Sequence, residues 1–241
     1  MNDNTNEYIA LWESVTQKCQ EYLNKVTFSY DEMQALYSTI VPARVEYSLG
    51  SRYLPRGFYC PSPDITYFIT NMKRGRIAKR ITSASRPTNR FLFDSSNKLY
   101  LADTFFPNGA QETEYIFREQ GATYGVTWGE RFRFSKAEIR ELNIEEYSDG
   151  KLACYMWAVP IPGSSGHYIT SVLFETFIYH SNDCIETDFY IIEAPEIGTK
   201  KHYDVFITHY KTGFTLDSSN MILLQSAVEL GYAKKHFLHS R

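Results

Sequence analysis

No two of the four cysteines, Cys19, Cys60, Cys154 and Cys184, form a C-x-x-C pair, and all lie far apart along the 241 residues. That spacing excludes a small secreted scaffold stapled by disulfides. Apolar runs such as Met221 to Leu224 are too short to cross a membrane as a helix. The opening Met-Asn-Asp-Asn-Thr-Asn lacks the basic and apolar regions of a signal peptide, so a reducing cytoplasm is the expected location. Strong catalytic signatures are missing too. The segment from Val159 to His167 reads as a flexible loop. Its Gly163 and Gly166 stand too close for a G-x-S-x-G elbow, and it does not match a phosphate-binding Walker loop.

Aromatic side chains are plentiful: 16% of residues, with 19 Tyr. A hydrophobic share of 43% and a charged share of 22% are those of an ordinary folded domain. Five times an aromatic-rich run meets a short polar break and then resumes. The breaks follow Phe93 (Asp94 to Asn97), Phe117 (Arg118 to Gly121), Tyr147 (Ser148 to Gly150), Tyr179 (His180 to Asp183) and Tyr210 (Lys211 to Gly213). Asp, Asn and Gly tolerate the positive φ of tight hairpins, and β-branched and aromatic flanks suit a pleated surface. The pattern predicts an antiparallel meander with strands from about residue 90 to 210.

Before it, Tyr8, Trp12, Val15, Cys19, Tyr22 and Val26 recur at steps of three and four, the stripe of a helix over 5–26. Ser29 and Glu32 stand at capping-box spacing, and Met33, Leu36, Tyr37 and Ile40 continue with helical period. Val45, Tyr47 and Leu49 alternate as a strand, and so do Ile65, Tyr67 and Ile69. Near the end, Asp217 to Asn220 offers N-caps for a last helix, with Met221, Leu224, Val228 and Tyr232 on its buried face. The expected fold is α+β: a predominantly antiparallel β meander, as a large twisted sheet or an open barrel-like one, with two N-terminal helices and one C-terminal helix. Residues 1–42 are expected as a helical segment packed on the sheet, and 43–241 as the β domain, in one structural domain overall.

The net charge of −3 conceals a segregation. Residues 41–100 carry 11 basic and 3 acidic side chains, a net +8, while residues 101–241 carry a net −7. Lys73, Arg74, Arg76, Lys79 and Arg80 form a basic, anion-binding candidate beside Tyr67 and Phe68; as a bland alternative, such charges keep a sheet edge soluble. Glu138, Glu141, Glu145, Glu146, Asp183, Glu186 and Asp188 are the candidates for an acidic partner-binding face. Glu186 and Asp188 share one side of a strand, so their charges need solvent or a cationic partner. His180, Asp183, Cys184 and Glu186 hold metal-binding atoms, but no second cluster matches them, and no metal or other cofactor is expected.

Glu146-Tyr147-Ser148-Asp149-Gly150-Lys151-Leu152 resembles the core of the YD hairpin repeats of Rhs-type bacterial proteins, and Phe91-Leu92-Phe93-Asp94 with Lys98-Leu99 is a second, poorer copy. The Gly and Arg framework of full YD arrays is absent, so no toxin shell follows. By analogy the resemblance implies an immunity-type role. The expected function is non-enzymatic: an intracellular immunity or inhibitor protein that neutralises a protein partner, a basic toxin or effector, through a Tyr- and carboxylate-rich sheet surface. Two alternatives stand beside it. One is an enzyme that meets a phosphate-containing or nucleotide substrate with Arg74, Arg76 and Arg80 and moves a proton with Glu186 or Asp188. The other is a nucleic-acid-binding accessory protein.

Overall fold

The computed structural model describes residues 5–50, 56–70, 74–129, 138–163, 166–182, 184–193, 202–216 and 222–238. Among them lie three helices, α1 (Thr5–Asn24), α2 (Tyr30–Ser38) and α3 (Pro63–Thr70), and a 3-10 turn at Gly57–Tyr59. The described strands are β1 (Arg44–Leu49), β2 (Arg76–Ile77), β3 (Asn89–Phe93), β4 (Leu99–Phe105), β5 (Gln111–Glu119), β6 (Ala122–Gly129), β7 (Ile139–Ser148), β8 (Lys151–Gly163), β9 (Gly166–Tyr179), β10 (Cys184–Glu193), β11 (His202–Leu216) and β12 (Ile222–Leu238). They make one open antiparallel sheet in the order β12-β11-β10-β9-β8-β7-β6-β5-β4-β3-β1-β2, the α+β meander that the punctuation predicts.

Four of the five polar breaks fall between paired or sequential strands. Asp149 and Gly150 both take positive φ, 51° and 76°, the backbone that a two-residue hairpin needs to match strand twist. The fifth break is not a turn. β11 runs straight through Lys211–Gly213, and the chain absorbs the irregularity as register shifts at His209/Tyr210 and Gly213/Phe214. The Val159–His167 loop is likewise mostly strand, with a register shift at Val159/Pro160 where proline cannot donate to the ladder.

Two elements differ in kind from their prediction. Ile65, Tyr67 and Ile69 lie in helix α3, because Ser62 caps it: its hydroxyl accepts the Ile65 N–H at 3.0 Å, and Pro63 opens the first turn. The C-terminal helix is instead strand β12, paired with β11 from Ile222↔Leu216 to Leu238↔His202. A continuous ladder of backbone bonds outweighs a helical spacing of apolar residues that has no helix-specific contacts behind it.

The chain divides into two compact units, residues 26–143 and residues 1–25 with 144–241, so α1 and α2 belong to different units. In the first, the Ser29–Glu32 capping box forms in full, Ser29 N–H donating to Glu32 at 2.8 Å and Glu32 N–H to the Ser29 hydroxyl at 3.3 Å. α2 then buries Met33 and sets Tyr37 edge-on to Tyr115 at 4.8 Å. Leu36 and Ile40, on the predicted apolar stripe, stay exposed. On another sheet face Phe58 and Tyr59 pack against the buried Phe91, Phe93 and Ala102.

The same segment carries a buried charge. Arg56 Nε donates to Glu114 Oε1 at 2.8 Å, with both side chains only 5% exposed, and Asn143 Nδ2 donates to that oxygen at 3.2 Å. Gly125 makes the slot, since a methyl group there would overlap the Glu114 carboxylate. Arg56 itself holds a left-handed backbone, φ 53°, a strained state for a residue with a Cβ. Removing one member strands its partner's charge in a dry site, so Arg56→Met is expected to cost about 3–5 kcal/mol in urea unfolding. The double variant Arg56→Met/Glu114→Leu should lose much less; equal losses would mean that the pair is not coupled.

In the second unit α1 follows its predicted stripe. Val15, Cys19, Tyr22 and Leu23 are buried, and the helix packs on β9 and β12. Each large side chain so removed from water contributes roughly 1.5–3 kcal/mol.

Candidate functional site

Each unit brings polar side chains together, and the clearest set lies where α1 meets β10 and β11. Register pairs Asp188 with Lys211 and Tyr190 with His209, which puts all four on one sheet face. His209 Nε2 lies 2.8 Å from Asp188 Oδ1, and its Nδ1 lies 3.1 Å from the Tyr8 hydroxyl. Tyr190 stacks on the imidazole at 4.1 Å between centroids, 17° from parallel. Gly231 leaves room for Tyr8; a Cβ there would stand 2.6 Å from its oxygen. A neutral imidazole satisfies the whole line, with Nε2–H donating to Asp188 and Nδ1 accepting from Tyr8. Burial raises the Tyr8 phenol above its ordinary 10.0, so the hydroxyl stays protonated and donates. Both ring nitrogens are engaged, and the line therefore ties α1 to the sheet rather than offering a base to a substrate.

Beside it, in the same unit, a pocket of about 340 Å³ opens over the ends of β10, β11 and β12. Glu186 and Lys211 meet there at 2.6 Å, and His180 Nε2 comes within 3.4 Å of the same carboxylate. Cys184, Ser226, Val228 and Leu230 complete much of the wall. The Lys211 hydrogen bond holds the Glu186 carboxyl below its ordinary 4.5, and Glu186 in turn raises the Lys211 ammonium.

These pairings change the meaning of the acidic residues. Glu186 and Asp188 do share a strand face, but Lys211, His180 and His209 already meet them. Glu146 pairs with Lys18 at 2.7 Å and also accepts from the Cys154 thiol at 3.3 Å. Glu138 pairs with Arg140 at 3.2 Å. Glu141 and Glu145 are buried, at 7% and 6% exposure, and Glu145 accepts from the Tyr147 hydroxyl. Asp183 lies outside the described residues. The described members of the set are therefore spent inside the protein, and no bare carboxylate face remains among them. In β7 consecutive residues from Glu141 to Glu145 are buried, so both faces of the strand are covered there and these two acidic positions lie inside.

The basic stretch, in the other unit, behaves in the opposite way. Arg76, Lys79, Arg80 and Arg86 are exposed, and no side chain of the four has an ion pair or hydrogen bond among the described residues. Arg74 is half-buried and donates from Nε to Thr66 Oγ1 at 3.2 Å; Lys73 lies outside the described residues. Phe68 and Ile81, at 37% and 38% exposure, stand along the same stretch of chain. The Arg56–Glu114 pair and the contact of the stripe residue Tyr8 with His209 were not indicated by sequence pattern. Glu112 and Glu114 alternate with Thr113 just before the apolar Tyr115 to Phe117, and that was the one local signal for a buried cation.

Metal and thiol chemistry find little support. Among the described residues no three His, Cys, Asp or Glu side chains converge as ligands. Burial pushes the Cys19 and Cys154 thiols up to about 12, which keeps them protonated and inert. No described helix is long and apolar enough to cross a membrane. No protein-family model, curated protein or solved structure matches the chain.

Two outcomes check this geometry. The lowered Glu186 contributes its stabilisation above the ordinary carboxyl value and loses it as pH falls through the lowered one. The raised Lys211 contributes below its ordinary 10.5 and loses it above. Lys211→Met should therefore lower the melting temperature more at pH 7 than at pH 3, and a gap that does not shrink in acid would remove the pair as its cause. In the native protein a disulfide reagent such as DTNB should titrate Cys184 ahead of the buried Cys19, Cys60 and Cys154. Fast reaction of all four thiols would contradict the burial.

Proposed function

We propose that the chain is a binding protein rather than an enzyme, and that it grips an acidic protein surface with Arg76, Lys79, Arg80 and Arg86. One observation carries this reading: these four cations are exposed without an ionic partner among the described residues, while the described acidic candidates are paired or buried. Unpaired surface charge steers a complementary partner and costs nothing to detach from an internal one. The inhibitor or immunity type of role expected from the sequence is kept, with the sign of the partner reversed. Exposed Phe68 and Ile81 supply apolar anchors beside arginine, the mixture that protein interfaces favour. The chain's net charge of −3 works against a long polyanion such as nucleic acid. The buried thiols of Cys19, Cys60 and Cys154, none in a disulfide, fit the cytoplasmic location expected.

The enzyme reading draws less support. Glu186 is already held by Lys211, and Asp188 accepts a hydrogen bond from His209, so neither carboxylate stands ready to move a substrate proton.

A poly-glutamate peptide and a single-stranded oligonucleotide of equal charge separate the partner classes. The peptide is expected to bind more tightly than the oligonucleotide, in a salt-dependent manner. Arg76→Glu/Lys79→Glu/Arg80→Glu should weaken it about tenfold or more while the melting curve holds. Tighter binding of the oligonucleotide would replace the protein partner by nucleic acid, and no binding of either at low salt would end the proposal.

A further inference from the structure

The strand β12 stands at one end of the sheet, and among the described residues β11 alone pairs with it. It is 17 residues long, so it presents an extended row of outward N–H and C=O groups. From Gln225 to Leu230 every side chain is exposed, those on both faces of the strand alike. Val228 and Leu230 are 56% and 51% exposed. Protein edges are commonly blunted by lysine, proline or a very short strand. Gln225-Ser226-Ala227-Val228-Glu229-Leu230 contains neither residue. Its inner side is regular from Ser226 to Glu229, opposite Gly213 to Tyr210, between the two register shifts.

We infer that β12 pairs antiparallel with β12 of a second copy of this chain, about a two-fold axis at Val228. Symmetry restricts the register. A two-fold axis that continues a sheet edge to edge lies perpendicular to it, so residues placed opposite each other point to the same face. The axis must then pass through a residue and not between two. Centred on Glu229, it would set two carboxylates directly opposite, which is destabilising. Centred on Val228, it sets Val228 against Val228, Ala227 against Glu229 and Ser226 against Leu230. Glu229, the one ionisable side chain of the segment, then faces a methyl group. This register also covers Val228, 56% exposed, with a β-branched cross-strand pair, the kind a sheet favours. The second copy is the occupant that fits because it brings an edge of equal length on which Glu229, the one charge of the segment Gln225 to Leu230, avoids its own counterpart.

Light scattering on the full chain should give twice the 28.0 kDa chain mass. Val228→Lys, which places two ammonium groups across the axis, should return it to the single-chain mass with unchanged circular dichroism. A cysteine test fixes the register, with Cys184→Ser as background because Cys184 and Val228 line the same pocket. Under mild oxidation Val228→Cys should cross-link about tenfold faster than Glu229→Cys, since opposed Cβ atoms lie about 4.5–5.5 Å apart and diagonal ones about 7–8 Å. The cysteine pair still decides the matter if Val228→Lys fails to fold. A single-chain mass for the unmodified protein, or equal cross-linking at both positions, overturns the proposal.

Discussion

A carboxylate and a guanidinium with no access to water hold the first unit together. Arg56 and Glu114 each need the other, because either ion alone in that slot would bear an uncompensated desolvation cost. Their pairing explains three local features at once. It gives Arg56 a reason to keep a left-handed backbone, it requires glycine at position 125, and it anchors the chain entering the 3-10 turn that lays Phe58 and Tyr59 on the sheet. Asn143, midway along β7, donates a second hydrogen bond to the same oxygen. A well-packed apolar pair of similar size could be as stable, but it would not select one backbone path for residues 56–60 as this directional bond does.

The electrostatics of the two units follow a common pattern of use. Acidic groups are consumed by neighbours: Glu146 by Lys18, Asp188 by His209, Glu186 by Lys211. Basic groups at 76–86 are left to solvent. Charge totals along a sequence could not reveal this, because a formal charge counts equally whether it is buried in a pair or projecting into water. The acidic candidates picked out by pattern are therefore the paired ones, and the cations at 76–86 are the ones that project into water.

Much of the architecture was legible in advance because it rests on local rules. The α1 stripe, the Ser29–Glu32 box and the hairpin at Asp149-Gly150 each depend on a few adjacent residues, and each formed as the pattern predicts. Failures came where distant partners decide. The 221–232 segment has helical spacing, yet β11 offers it a ladder of backbone bonds. Ile65, Tyr67 and Ile69 alternate like a strand, yet the Ser62-Pro63 cap is the stronger local signal and was passed over. Glu141 and Glu145 looked like a wet face because nothing in their neighbourhood tells that β7 is an interior strand. The Tyr8–His209 contact, 201 residues apart, leaves no trace in periodicity at all.

That separation also sets a timetable for the nascent chain. α1 leaves the ribosome well before the strands that bury its stripe, which follow only after all of residues 26–143. At about 5–20 residues per second, Val15, Cys19 and Tyr22 wait roughly ten seconds or more without their cover. The unit in between can close on itself during that interval. The first helix is thus the part of this protein most in need of a chaperone's shelter, and the last to find its place.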